Sequence, residues 1–266
     1  MGDTEFSFTK HFEQYFSVDL ADTPALRERV ARIRFHVYCE EFGFEPLERC
    51  PNGLETDEFD DYSLHCVISH RPSNLPAACV RLVPPPPSDP AAPMPFEKHC
   101  ADSLDRSFID SLDLDRNKAC EISRLAVDGL FRRRHGESKT RFGQVEHLMF
   151  SAEERRTLPY LAVSAYLAAT ALTALTGRTN VFAMMEPFLP RLLSLAGIHF
   201  RRAGADIDYH GLRAPYFIST WDALASMKPD LRELYGRIHE ALEATLCGPR
   251  KFQATTSGRT PNADAG

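Results

Sequence analysis

Five carboxylates, Glu55, Asp57, Glu58, Asp60 and Asp61, stand directly before an apolar run that begins at Tyr62. Carboxylates crowded together raise one another's pKa and attract a cation. Such a group suits a metal, an amine or an arginine; the plainer reading is a solvated acidic loop. Arg81 lies inside the apolar stretch "CVRLVP". Burying it without a carboxylate partner is costly, unless it sits on an edge strand and faces water. A third run, "CEISRLAVD", carries Glu121 and Arg124. In a regular strand Glu121, Ser123 and Leu125 point one way and Ile122, Arg124 and Ala126 the other. A bulge brings Glu121 and Arg124 together instead. Opposite charges in three apolar settings point to one shared pocket. The chemistry open to that pocket is to hold a cation and take its proton. A purely structural ion-pair network is the alternative, although perturbed charges also mark functional sites. The one basic cluster, Arg132, Arg133, Arg134 and His135, offers a phosphate a loop that leads into a helix start. Its alternative is a solvated turn.

Other chemistries have no motif to carry them. The sequence holds no Gly-x-Ser-x-Gly, Walker loop or His-Glu-x-x-His. Its seven cysteines are odd in number and none has C-x-x-C spacing. This argues against a disulfide framework or a zinc site, so no metal is expected, and a reducing, cytoplasmic setting fits. A net charge of −6 without a broadly basic face argues against nucleic acid as a partner. The start, "MGDTEFSFTKHFEQYF", lacks the pattern of a signal peptide.

The elements that must position these groups follow from periodicity and punctuation. Residues 23–42 form a helix, with Thr23 as N-cap, Pro24 in the first turn and Gly43 at the end. Residues 62–68 and 77–83 form a hairpin around "RPSNLP". "PPPPSDPAAPMP", 84–95, is an extended, polyproline-like excursion. Residues 103–117 give a short helix or two, and 120–127 a strand. Residues 158–176 are apolar almost all round, as in a buried or a membrane helix. A span needs about 20 residues, and this run is slightly short and broken by Ser and Thr, so no membrane span is expected. A strand over 180–187, a short helix closing at Gly197 and two short strands follow. A last helix covers 221–246. The tail, 248–266, has no apolar periodicity and reads as disordered. The whole is one domain over 1–247 with a proline-rich insertion at 84–118. Its class is α/β (α+β), a central mixed β-sheet flanked by helices.

This order resembles the GNAT acyltransferase fold. Four motifs, "RFHVYCEEFGF", "GLETDEFD", "CVRLVP" and "CEISRLAV", resemble in order and spacing those of the acyl-homoserine-lactone (autoinducer) synthases. They are similar also to the N-acyl amino acid synthases and to an acyltransferase group associated with PEP-CTERM/exosortase systems. The likeness runs over about residues 25–220, with its specific motifs in 34–128. It implies roles for Arg34, Asp57, Asp60, Arg81, Glu121 and Arg124. Phe44 stands where the lactone synthases carry a tryptophan. That departure, with the proline loop, favours an amino acid acceptor over S-adenosylmethionine.

The resemblance implies acyl transfer from a thioester to an α-amine. Glu121 is the first choice to take the amine's proton, with Asp57 and Asp60 behind it. Backbone N–H groups near Leu125, Ala126 and Val127 would face the carbonyl oxygen. Arg34, Arg81 and Arg124 hold the carboxylates, and one of them takes the acceptor's carboxylate. No bound cofactor is implied; acyl-acyl carrier protein or acyl-CoA is the co-substrate. The glycine loop of a coenzyme A site is not clean, with only Gly136 and Gly143 at hand. This points to the phosphopantetheine of acyl carrier protein, held by Arg132, Arg133 and Arg134. Helix 158–176 and the strand with Met184 and Met185 are candidates to line an acyl tunnel. A lactone synthase and a non-catalytic binding module on a transferase scaffold are the alternatives.

Overall fold

Phe16–Leu20 alternates buried and half-buried residues and forms β1, directly after α1 (Phe8–Tyr15). The computed structural model describes residues 8–132 and 150–247. The expected disordered tail, and Arg133, Arg134 and His135 of the basic cluster, lie outside the described residues. Thr23 caps α2 (Pro24–Arg34) by accepting the Leu26 N–H at 3.3 Å. The helix then widens into a π-helix, Phe35–Glu41, and Gly43 closes it at φ +65°. A left-handed backbone there is cheap only for glycine. β2 (Leu64–His70) and β3 (Leu75–Val83) form the expected hairpin. Beyond the prolines come α3 (Pro95–His99), α4 (Arg106–Ser111) and β4 (Ala119–Val127). Then follow α5 (Gly129–Arg132), α6 (Ala152–Thr157), α7 (Leu161–Leu175) and β5 (Asn180–Met185). The chain continues through α8 (Leu189–Leu195), β6 (Arg201–Arg202), β7 (Ile207–Asp208) and β8 (Leu212–Ser219). It closes with α9 (Thr220–Ser226) and α10 (Pro229–Leu246). The single helix expected over 221–246 is therefore two. Met227 and Lys228 are extended, and Pro229 starts the second helix where its missing N–H costs nothing.

The strands make one mixed sheet in the order β1-β2-β3-β4-β5-β8-β6, with β7 on β8. β4 and β5 are the parallel pair, since the crossover between them carries α6 and α7. α7 is buried on all sides because it lies between the sheet and α10. That accounts for its apolar circumference without a membrane. Among the described residues no helix is long and apolar enough to cross one. The opposite face of the sheet carries two smaller apolar clusters. Val30, Ile33 and Val37 pack on Val67, Cys79 and Ala126. Met94, Phe96 and Leu104 pack on Phe182 and Phe217.

One irregularity reorders β4. Cys79 faces Ala126 and Arg81 faces Ser123, so Val80 alone stands against both Arg124 and Leu125. Arg124 takes φ +49° to fit the extra residue. This β-bulge shifts the strand's phase. Leu125 joins Ile122 on the α7 side, and the alternation expected of a regular strand does not hold. Arg124 falls on the face of Glu121 and Ser123. The segment after the prolines also departs from an excursion. Met94, Phe96 and Cys100 are buried. Arg116 pins the segment by donating to Pro90 O at 2.7 Å and Ala92 O at 2.6 Å, and it pairs with Glu97 at 2.7 Å.

Candidate active site

Arg34 ends α2 and is 1% exposed. The acidic segment hooks onto the same helix, since the Glu55 N–H donates to Ala31 O at 3.1 Å. The side chains then interlock. Arg34 binds Glu55 closely and Asp60 at 2.8 Å. Arg81 reaches Asp57 at 2.6 Å, Asp60 at 2.7 Å and the Ser123 hydroxyl at 3.2 Å. Arg124 reaches Glu55 at 3.1 Å, Asp57 at 3.3 Å and Glu45 at 3.3 Å. The turn itself fixes the aspartates, with the Asp57 N–H donating to Asp60 Oδ2 at 2.9 Å. Glu58 stands outside this group and pairs with Lys98 at the surface; Asp61 is exposed.

Electrostatics divides the expected catalytic carboxylates into two kinds. Burial would raise Glu55, Asp57 and Asp60, but the neighbouring guanidinium groups outweigh it and hold all three below the usual carboxylate range. Burial would likewise lower Arg34 and Arg124, yet the carboxylates raise both. Asp57 and Asp60 are thus committed counter-ions and weak proton acceptors. The three arginines are committed as well, each paired with two or three of these carboxylates.

Glu121 is the other kind. It is 3% exposed and has no ion-pair partner among the described residues. Its carboxylate accepts the Phe96 N–H at 2.7 Å. Burial pushes its pKa up to about 7, against the pull of that N–H, Arg81 and Arg124. It is also the last residue of β4 paired with β5, opposite Phe182. Past this point the two parallel strands part. Ala126 and Val127 pair with β3, and the Leu125 carbonyl accepts the Tyr38 hydroxyl at 2.8 Å. No β5 residue pairs with β4 along 122–127.

Residues that the sequence did not single out complete the walls. The turn before β8 brings in Tyr209 and His210. His210 sits at φ +55°, 3.4 Å from Glu45 and 5.7 Å from the Phe44 ring. Tyr209 stacks on His99 at 5.9 Å. Arg213 lies 5.8 Å from the Phe44 ring centroid. Nothing in "DYHGLRAP" marks these residues except their chemical types beside a turn glycine. Tyr38 was hidden within a helical pattern. Phe96 acts through its backbone, which no side-chain motif reveals. Arg132 donates to Val127 O at 2.9 Å and pairs closely with Glu41, so its charge is already used.

On the α7 side of the sheet lies an apolar pocket, about 430 Å³ including its open mouth. Ile122, Tyr166, Thr170, Val181, Ile198 and Phe200 are among its lining residues. Met184 and Met185 do not line it. Met185 is buried under the Tyr166 hydroxyl, and Met184 packs on the opposite face. Glu121 and Ile122 are neighbours in β4, so the pocket and the charged site lie back to back at the place where the sheet opens.

Comparison with known proteins fits this architecture. A family model described as an acetyltransferase (GNAT) domain matches residues 33–140, which include the whole charged cluster except Arg213 and the His210 turn. No curated protein matches the sequence. Among solved structures, TofI in a ternary complex with an inhibitor and MTA is similar at 18% identity and a TM-score of 0.55, covering 82% of this chain and 99% of that one. FeeM, an N-acyl amino acid synthase from uncultured soil microbes, is similar at 12% and 0.52, covering 80% and 94%. BjaI, a CoA-dependent acyl-homoserine lactone synthase, with SAM and isopentyl-CoA, is similar at 17% and 0.53, covering 84% and 89%. At these identities the likeness is one of fold. The chain has a GNAT-type fold, an eight-stranded mixed sheet flanked by helices.

Proposed function

We propose that the chain is an N-acyltransferase, moving a fatty acyl group from a thioester to the amine of an amino acid or related small molecule. The observation that carries this reading is Glu121: a buried carboxylate with a near-neutral pKa, without an ion-pair partner among the described residues, beside three arginines paired to other carboxylates, at the parting of β4 and β5. An α-amine arrives as an ammonium ion. Glu121 takes one proton, directly or through water, and the freed amine attacks the thioester carbonyl. A C–N bond forms, the C–S bond breaks, and the thiolate leaves and is protonated. Backbone N–H groups of Leu125 to Val127 are the candidate donors to the carbonyl oxygen, each worth roughly 3 kcal/mol in comparable sites. The pocket lined by Ile122 and Phe200 has the apolar lining that an alkyl chain calls for. Asp57, Asp60, Arg34, Arg81 and Arg124 brace the site. The donor is acyl carrier protein or coenzyme A; with Arg132 paired to Glu41, Arg133 and Arg134, beyond the described residues, remain the phosphate candidates. The exosortase-associated likeness rests on the four motifs alone.

A second reading is a lactone signal made from S-adenosylmethionine, favoured by the similarity in fold to TofI and BjaI. Purified protein incubated with acyl-CoA or acyl-acyl carrier protein, together with a panel of amino acids and S-adenosylmethionine, separates the two by product mass. N-acyl amino acids are the expected product. Lactone would establish the second reading, and no acylated product from any pair would leave a binding module.

A further inference from the structure

Arg34, Arg81 and Arg124 are each paired with at least two carboxylates from among Glu45, Glu55, Asp57 and Asp60, and Arg213 is paired with none among the described residues. Its Nε donates to the His210 carbonyl at 3.3 Å, and its guanidinium carbon lies 5.8 Å from the Phe44 ring. Those two contacts orient the planar group and leave both terminal nitrogens without a hydrogen-bond partner among the described residues. The residue is half-buried near the start of β8, the strand that pairs with β5. It also belongs to the Glu121 side of the molecule. The charges of Glu121 and Arg213 both act on the buried Cys100 thiol, and those of Arg124 and Arg213 both act on Tyr38 and His210.

We propose that Arg213 binds the carboxylate of the acceptor, so that the substrate is a free α-amino acid held by both of its charged ends. This rests on the acyltransferase reading and adds to it which acceptors are used. The ammonium end lies toward Glu121, which takes its proton. The carboxylate end meets the open fork of Arg213, a geometry in which two parallel N–H groups match two oxygens. The same grip works against a lactone product. Ring closure on S-adenosylmethionine needs that carboxylate as the nucleophile, and a carboxylate held by two hydrogen bonds is a poorer one.

The test compares three acceptors with one acyl donor: the best amino acid substrate, its primary amide and the corresponding decarboxylated amine. For the wild-type protein kcat/KM is expected to favour the free acid over the amide by about 10–100-fold, the range for a hydrogen-bonded charge. Arg213→Ala should erase that preference by raising KM for the acid, while the amide and the donor keep their KM. Arg213→Lys, which retains the charge without the fork, should recover part of it and shows that a loss in the alanine variant is not misfolding. The proposal is overturned if the wild-type protein uses acid and amide alike. It is overturned equally if Arg213→Ala raises KM for the acyl donor instead, which would make Arg213 a phosphate ligand. Absence of acylation with all three acceptors would remove the acyltransferase reading itself, a different outcome from acylation without preference.

Discussion

Glu121 gains its proton affinity by exclusion. The neighbouring arginines spend their charge on Glu55, Asp57 and Asp60, and among the described residues the Phe96 N–H is the one hydrogen-bond donor to the Glu121 carboxylate. A base with a pKa of about 7 should give a kcat/KM that rises with pH through that value. Glu121→Gln is expected to lower kcat by about 10²- to 10⁴-fold, read in an acyl-transfer assay. The same substitution should stabilise the fold at alkaline pH. Glu121 has a raised pKa, so folding favours its protonated form; its contribution is full below about pH 4.5 and declines as pH rises to about 7. The shift corresponds to roughly 3 kcal/mol. Thermal melts should therefore separate the variant from the parent more at pH 8 than at pH 4.5. At this scale the sequence was readable where a charge broke an apolar run, as at Arg81, Glu121 and Arg124. It was silent on Arg213, which stands just past a turn glycine rather than inside a long apolar run, and which becomes noteworthy only when the other arginines prove to be paired.

The devices that hold these groups are a bulge and a pinned segment. Glu121 and Arg124 are three apart, and a flat strand would put them on opposite faces. The extra residue against Val80 places both on one face. It does not join them to each other, since Arg124 goes to Glu55, Asp57 and Glu45. Arg116 does its work at a distance. It holds Glu97, which accepts the Met94 N–H at 2.8 Å and so shapes the turn that presents Phe96. Arg116→Ala should loosen that turn and weaken the Phe96 hydrogen bond to Glu121. Because that bond favours the carboxylate, its loss raises the Glu121 pKa further, and the rise of the pH–rate profile should move to higher pH. An unmoved profile would show that Arg116 braces the surface only. Helices, hairpin and central strand were legible because their periods and caps agree. β1 was not, since α1 runs into it without a turn residue and it is five residues long. The split of the last helix had a sign, Pro229, outweighed by the apolar repeat on either side.

Across the whole molecule two sets of carboxylates pull stability in opposite directions. Glu55, Asp57 and Asp60 have lowered pKa values, so their contribution is present above the ordinary carboxylate range and is lost as pH falls through it and below. With Glu121 working the other way, urea midpoints should fall on both the acid and the alkaline side of about pH 4.5–5. Asp60→Asn should cost about 3–5 kcal/mol at neutral pH, because Arg34 and Arg81 then share one carboxylate fewer in a buried place. The β4 strand also acts as a partition. Ile122 and Phe200 furnish one room, and His210, Phe44 and Arg213 furnish another behind it. Evolution can therefore remodel the greasy room without disturbing the salty one, so that tail length and head group are inherited as separable traits.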